Sequence, residues 1–217
     1  MIGFLHTAQV HTATFTGLLA AISPQIASTH VVDETLLADA QARGGVDEDL
    51  RTRLTIRLRE AAATASVVVC SCSTISGAAE SLADEIGVRV IRVDRPMAEQ
   101  AVALGPRIAV VAALASTIGP TTELLQSVAS EVARSIEIVE LACSEAWSEF
   151  ESGDMESYLD AVARAVDSID VPVDVVVLAQ ASMAGAVDRV HVAIPVLSSP
   201  RLAVEAAVRA MDGLAPE

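Results

Sequence analysis

The residues best suited to chemistry stand in short polar turns that follow aliphatic runs. Cys72 lies in Ser71-Cys72-Ser73-Thr74-Ile75-Ser76-Gly77, directly after the β-branched run 66–70. A thiol in such a turn meets the free N–H groups of the next helix, which can lower its pKa and keep it reactive. The other cysteines have different settings. Cys70 closes Val67-Val68-Val69-Cys70 and reads as a small buried hydrophobe. Cys143 follows a strand-like run and fits core or site rim equally. Three further turns carry the same small hydroxyl residues: His6-Thr7, Ser116-Thr117 and Ser198-Ser199. Ser and Thr are favoured helix N-caps, which accounts for any one of these turns. Four at equivalent places point instead to an anion-binding lining of hydroxyls and backbone N–H groups.

Composition narrows the chemistry. The formal net charge is −15, which opposes binding to nucleic acid or to anionic lipid. All 14 basic residues are Arg. Without Lys there is neither a Schiff-base lysine nor a P-loop lysine. Three cysteines and four scattered histidines make neither a disulfide framework nor a zinc signature, so a reduced, cytoplasmic protein is expected. No apolar run approaches the roughly 18 residues of a membrane span, and the N-terminus lacks a basic leader region.

The elements that must carry these turns are legible as alternating strands and helices. Apolar residues make up 52% of the chain but aromatic ones only 2%, so Val, Ile, Leu and Ala must fill the core, as in parallel sheets covered by helices. Strands are expected at 2–5, 26–32, 66–70, 88–93, 107–112, 136–141, 173–178 and 194–197. Helices are expected near 13–22, 47–64, 78–86, 97–104, 122–135 and 155–168, with a terminal helix opened by Ser198-Ser199-Pro200. In the helix 47–64, Asp47-Glu48-Asp49 lead and arginines follow, matching the helix dipole; those arginines read as a solvated face. The strand–turn–helix pattern near residues 2 and 66 recurs near 107 and 173. Two similar α/β halves would each hold their polar turns at the carboxyl ends of parallel strands, where such sheets bind ligands.

The stretch Val68-Val69-Cys70-Ser71-Cys72-Ser73-Thr74-Ile75-Ser76 resembles the first cysteine motif of the aspartate/glutamate racemase superfamily, where Cys-Asn-Thr follows a strand. Cys72 falls on the catalytic cysteine and Ser73-Thr74 on Asn-Thr. Asp94-Arg95-Pro96-Met97-Ala98, Ser116-Thr117 with Pro120-Thr121, and Leu178-Ala179-Gln180-Ala181-Ser182-Met183-Ala184 look like the hydantoin racemase branch. The resemblance implies two pseudo-twofold lobes with the active site in the cleft between them. The first would be 1–95, completed by a C-terminal helix 198–217, and the second 96–197. It further implies a racemase or isomerase that works without cofactor or metal at the α-carbon of a small carboxylate, as a possible homodimer or higher homo-oligomer. Cys72 would be the acid/base. His6, Thr7, Gln9, Ser73, Thr74, Ser116, Thr117, Thr121, Gln180, Ala181 and Ser182 would bind the substrate, with Arg95 and Arg201 the nearest cations.

The chain departs from the family pattern at its second cysteine, which is Gln180, followed by Ala181 and Ser182 in place of Thr and His. An amide cannot shuttle a proton at neutral pH. A single thiol could instead protonate the enolate left by loss of carbon dioxide, as in the superfamily's arylmalonate decarboxylases. It could also add to a double bond, as in the maleate cis–trans isomerases. His6 or His191 could serve as the second acid. A carboxylate-binding protein without catalysis is the reading from a different class.

Overall fold

The computed structural model describes residues 1–213; positions 214–217 of the expected terminal helix lie outside the described residues. The chain forms two compact units, Met1–Val93 together with the stretch from Pro200 onward, and Asp94–Ser199. The first unit opens with β1 (Ile2–His6), α1 (Val10–Ile22), β2 (Ser28–Val32), α2 (Thr35–Arg43) and α3 (Glu48–Ala62). It continues with β3 (Val67–Cys70), α4 (Ser73–Ser81), α5 (Ala83–Ile86) and β4 (Arg89–Arg92). The second unit contains α6 (Arg95–Leu104), β5 (Arg107–Ala112), a 3-10 turn (Ala115–Thr117), α7 (Ile118–Glu131), β6 (Glu137–Ala142), α8 (Glu145–Ser152) and α9 (Met155–Asp167). It ends with β7 (Val175–Leu178), a 3-10 segment (Ala181–Asp188) and β8 (Val196–Ser198), and α10 (Ser199–Asp212) then returns the chain to the first unit.

Each unit is built on a four-stranded, all-parallel sheet, ordered β2-β1-β3-β4 in the first and β6-β5-β7-β8 in the second. The fold class is therefore α/β with two similar doubly wound units. In each sheet the chain reverses its winding between the two central strands. That switch point lies at β1/β3 in one unit and β5/β7 in the other, and loops leaving it splay apart to leave a crevice.

The central strands are buried on both faces, so they read as unbroken aliphatic runs. Val67, Val68, Val69 and Cys70 are all 0% exposed, as are Val175, Val176, Val177 and Leu178. On one face of the first sheet Leu5, Val68 and Cys70 pack under Leu54 and Leu58 of α3 and Ile75 of α4. On the other, Ile2, Phe4, Val67 and Val69 meet Phe15 of α1 and Ala203, Val204 and Ala207 of α10. The arginines of α3 stay partly exposed in ion pairs, Arg53 with Asp39, Arg57 with Asp33 and Arg59 with Glu85. In the second unit Val111, Val176 and Leu178 pack against Tyr158, Val162 and Val166 of α9.

Two helices escape the sequence pattern, and four others start earlier than expected, α4 and α7 by the most. In α2 only Leu36 and Ala40 are buried, too sparse an apolar stripe to stand out. The short α8 likewise buries only Ala146. Helix α4 begins at Ser73 rather than near 78, and α7 at Ile118 rather than near 122. In both, Ser, Thr and Gly read as turn residues but occupy the first helical turns, where packing on the sheet overrides their weak propensity.

Close packing at β1 carries a first prediction. A Cβ on Gly3 would lie 2.3 Å from the carbonyl oxygen of Ala61, a backbone atom that cannot swing away. Gly3→Ala is expected to destabilise the first unit by about 1–3 kcal/mol, the usual range for overpacking. Urea denaturation would measure it, and an unchanged midpoint would refute the close approach.

Candidate active site

Cys72 is the N-cap residue of α4, in extended conformation (φ −107°, ψ 111°). Its carbonyl accepts from the N–H groups of Ile75 and Ser76 at 3.2 and 2.9 Å, which fixes the thiol at the head of the helix. Cys72 as a whole is 8% exposed. Burial pushes its pKa up, while the Thr7 hydroxyl, the N–H groups of Ile75 and Thr74 and the Thr74 hydroxyl pull it down without overcoming burial. The sequence argument that helix N–H groups depress this thiol holds for the direction of their contribution but not for the net result. Desolvation of a small anion outweighs several neutral donors.

Thr7 follows β1 and Cys72 follows β3, so the two central strands of the first sheet deliver the pair to its switch point. The Oγ1 of Thr74 has no partner as the site stands, and it lies where it can donate to the Cys72 thiolate. Ser73 is 4% exposed, and its carbonyl accepts from the Ser76 hydroxyl. Gln9 is different. It is exposed, and its backbone N–H donates to Glu34 at 3.2 Å.

His6 is buried within a network of its own. It is 0% exposed, with Nδ1 2.8 Å from Ser71 Oγ and Nε2 2.9 Å from His30 Nδ1. Burial, then His11 and His30, lower its pKa to about 3, so the ring is neutral at ordinary pH. Both nitrogens of this ring are engaged within the fold, whereas His191 is exposed and paired through Nδ1 with Asp167. Sequence spacing did not reveal His11 and His30 as neighbours of His6. They meet because α1 and β2 both pack beside β1, and Phe4 pairs with His30 in register.

The equivalent turns of the second unit place Ser116, Thr117 and Thr121 at the head of α7. The Thr117 hydroxyl donates to the Leu114 carbonyl at 2.5 Å. The hydroxyls of Ser116 and Thr121 are buried without a partner, as is that of Ser199.

Gln180 follows β7 at the second switch point, 7% exposed, and its side chain is committed within its own unit. Its Oε1 accepts from the backbone N–H groups of Ala113 and Leu114 at 2.7 and 2.9 Å. Through this oxygen the side chain is a strut between the β5 and β7 turns. Gln180→Leu is expected to cost about 1–3 kcal/mol, since it orphans two backbone donors at once. Trp147 lies in the second unit and its fluorescence would follow that unit's unfolding.

Ala181 is buried, and the Ser182 hydroxyl lies 2.8 Å from the hydroxyl of the buried Tyr158, a partner absent from the sequence reading. Cys143 packs in the core with Tyr158, and burial followed by the Glu145 charge raises its pKa to about 11. Core rather than rim is thus its setting. Cys70, Cys72 and Cys143 are all free thiols. Arg95 pairs with Glu131 at 3.4 Å and Arg201 with Glu205 at 3.7 Å, so each already has an acidic partner. Among the described residues no group of three or more His, Cys, Asp and Glu could hold a metal, and no helix is long and apolar enough to cross a membrane.

Fold and turns together define a class, an α/β protein with two doubly wound units whose hydroxyl-rich loops sit at the switch points. The sequence matches the family model Asp/Glu/Hydantoin racemase over residues 11–207, and the chain belongs to that family. Membership makes it an isomerase of the racemase kind. No curated protein sequence matches it significantly. The fold is similar to that of the Picrophilus torridus aspartate racemase (TM-score 0.74, 13% identity, 97% of this chain and 94% of that one). A glutamate racemase isoform from Bacillus anthracis is comparable (TM-score 0.71, 15% identity, 99% and 82%). An arylmalonate decarboxylase also shares the fold (TM-score 0.57, 16% identity, 99% and 93%).

Proposed function

We propose that this racemase-family chain acts at the α-carbon of a small carboxylate without a cofactor, using Cys72 as its acid/base. The observation that carries the reading is the Cys72 setting: a thiol at a helix head with Thr7, Thr74 and two backbone N–H groups arranged to receive a negative sulfur. Such preorganised donors suit a group that must become an anion during the reaction. The thiolate takes the α-proton, and the electron pair left on carbon passes into the substrate carboxylate as an enediolate. The hydroxyls of Ser73 and Thr74, in the same turn as Cys72, are the groups we assign to the substrate carboxylate. A working thiol suits a reducing compartment, so we place the enzyme in the cytoplasm. We also expect a homodimer or higher homo-oligomer, which light scattering would show.

A second reading, a malonate-type decarboxylase, is favoured by one specific observation. The second family cysteine is Gln180, and its carbonyl is held by Ala113 and Leu114. One thiol suffices to protonate a carbanion left by loss of carbon dioxide, whereas inversion needs a second proton donor. Incubation in D₂O with α-amino, α-hydroxy and α-aryl carboxylates, hydantoins and malonates separates these outcomes. Loss of the α-hydrogen signal supports the first reading, and loss of carbon dioxide with one deuterium gained supports the second. Ligand-induced stabilisation with neither reaction would leave a binding protein and overturn both.

A further inference from the structure

Side chains continue the pairing of β1 with β3 where the backbone ladder stops. The last paired residues are Leu5 and Cys70, and the N–H of Ser71 still reaches the Leu5 carbonyl at 2.9 Å. Beyond that point the next residues along each strand meet in pairs. His6 Nδ1 lies 2.8 Å from Ser71 Oγ, and the Thr7 hydroxyl faces the Cys72 thiol, whose charged form it favours. We propose that His6 is a positioning residue for Cys72: its bond to Ser71 adds one rung to the β1–β3 pairing and thereby holds the Thr7 hydroxyl against the thiol. This rests on Cys72 being the reacting group, but the contact itself can be measured without any substrate.

His6 is anchored in turn. Its ring stacks on His30 (centroids 5.2 Å, 15° between planes) and on Phe4 (5.8 Å, 6°). Its Nε2 lies 2.9 Å from His30 Nδ1, and His30 Nε2 lies 3.1 Å from both Thr16 Oγ1 and Ser28 Oγ. A neutral imidazole offers one N–H and one lone pair, so the contacts form a single directed chain. When Ser71 donates to His6, His6 donates to His30 and His30 donates to Thr16 or Ser28; the reverse state reverses every bond. Each bond therefore supports the next, and the Ser71 end is held by residues of α1 and β2 far along the chain. Because both ring nitrogens are engaged in a buried site, His6 acts on Cys72 through Ser71 and not through substrate.

The test is the pH profile of iodoacetamide alkylation at Cys72, located by fragment mass spectrometry, in the full chain. Ser71→Ala and His6→Phe, the latter keeping the ring stack, are expected to move the profile up by about one unit. Alkylation below the midpoint then slows about tenfold. Thr7→Val should do the same, and Ser71→Ala with Thr7→Val should shift it no further, since both break one unit of structure. His6→Gln, whose amide can still reach Ser71, should recover most of the wild-type profile. Cys143, in the other unit, serves as the reference for general opening. An unchanged profile in Ser71→Ala, or additive shifts in the double variant, overturns the proposal. Should His6→Phe fail to fold, Ser71→Ala alone decides. If Cys72→Ser retained α-proton exchange, the assignment of Cys72 as the catalyst would fall, whereas the alkylation profile would still report its positioning.

Discussion

Cys72→Ser is expected to lower α-proton exchange by about 10²–10⁴-fold, the range over which a positioned acid/base acts. The substitution is nearly isosteric, and a serine hydroxyl can keep the Thr7 contact at the head of α4. Circular dichroism and the melting temperature should therefore stay close to wild type. What disappears is an ionisable group, since a serine hydroxyl does not give up its proton in the pH range of the assay. The same reasoning sets the pH dependence. Burial raises the Cys72 pKa above the ordinary thiol value, and only the thiolate can take a proton from carbon. In the free enzyme, kcat/KM for exchange should rise with pH and level off above the usual thiol range. Exchange within a few-fold of wild type in Cys72→Ser would remove Cys72 from the mechanism, and a midpoint below the ordinary thiol value would mean that the donors around the sulfur outweigh its burial.

Acidification should weaken the first unit well before its carboxylates titrate. His6 and His11 have pKa values lowered from 6.5 to about 3 and about 4, for each of them chiefly by burial. Below pH 6.5 the unfolded chain binds protons that these folded rings refuse. The stability they contribute is therefore complete above pH 6.5 and lost as pH falls toward their folded values. By pH 5 each ring accounts for a loss of about 2 kcal/mol, from the free-energy value of one pKa unit. Urea denaturation followed by circular dichroism at pH 7.5 and pH 5 should show this loss. His11→Leu should remove about half of the pH sensitivity. Equal stability at the two pH values would mean that the rings are protonated in place without penalty.

The four hydroxyl turns, the single credible thiol and the βα repetition were all readable from residue types. An aliphatic run followed by Ser, Thr or Cys marks where a buried parallel strand meets a helix N-terminus. The absence of Lys and the net charge of −15 excluded whole classes of chemistry without reference to shape. The helix boundaries around the thiol were not readable. Ser73, Thr74 and Ser76 look like turn residues, yet they form the first turn of α4 because the sheet beneath supplies the packing that their propensities lack.

The roles of His6 and Gln180 were legible even less. Both stand at strand ends, where a polar side chain is expected to face a ligand, and both turn instead to partners within the fold. Those partners lie tens of residues away: Ser71 and His30 for one ring, Ala113 and Leu114 for one amide. Which of a residue's possible hydrogen bonds is made depends on what the sheet order brings beside it. That order joins β1 to both β2 and β3, and β5 to β7, through long crossovers that local patterning does not encode. Residue type alone thus carried the resemblance to the racemase family and marked out the thiol we propose as its acid/base. The tertiary structure decided which polar groups are free to meet a substrate and which are consumed in holding the site together, because burial forces every such group to find a partner.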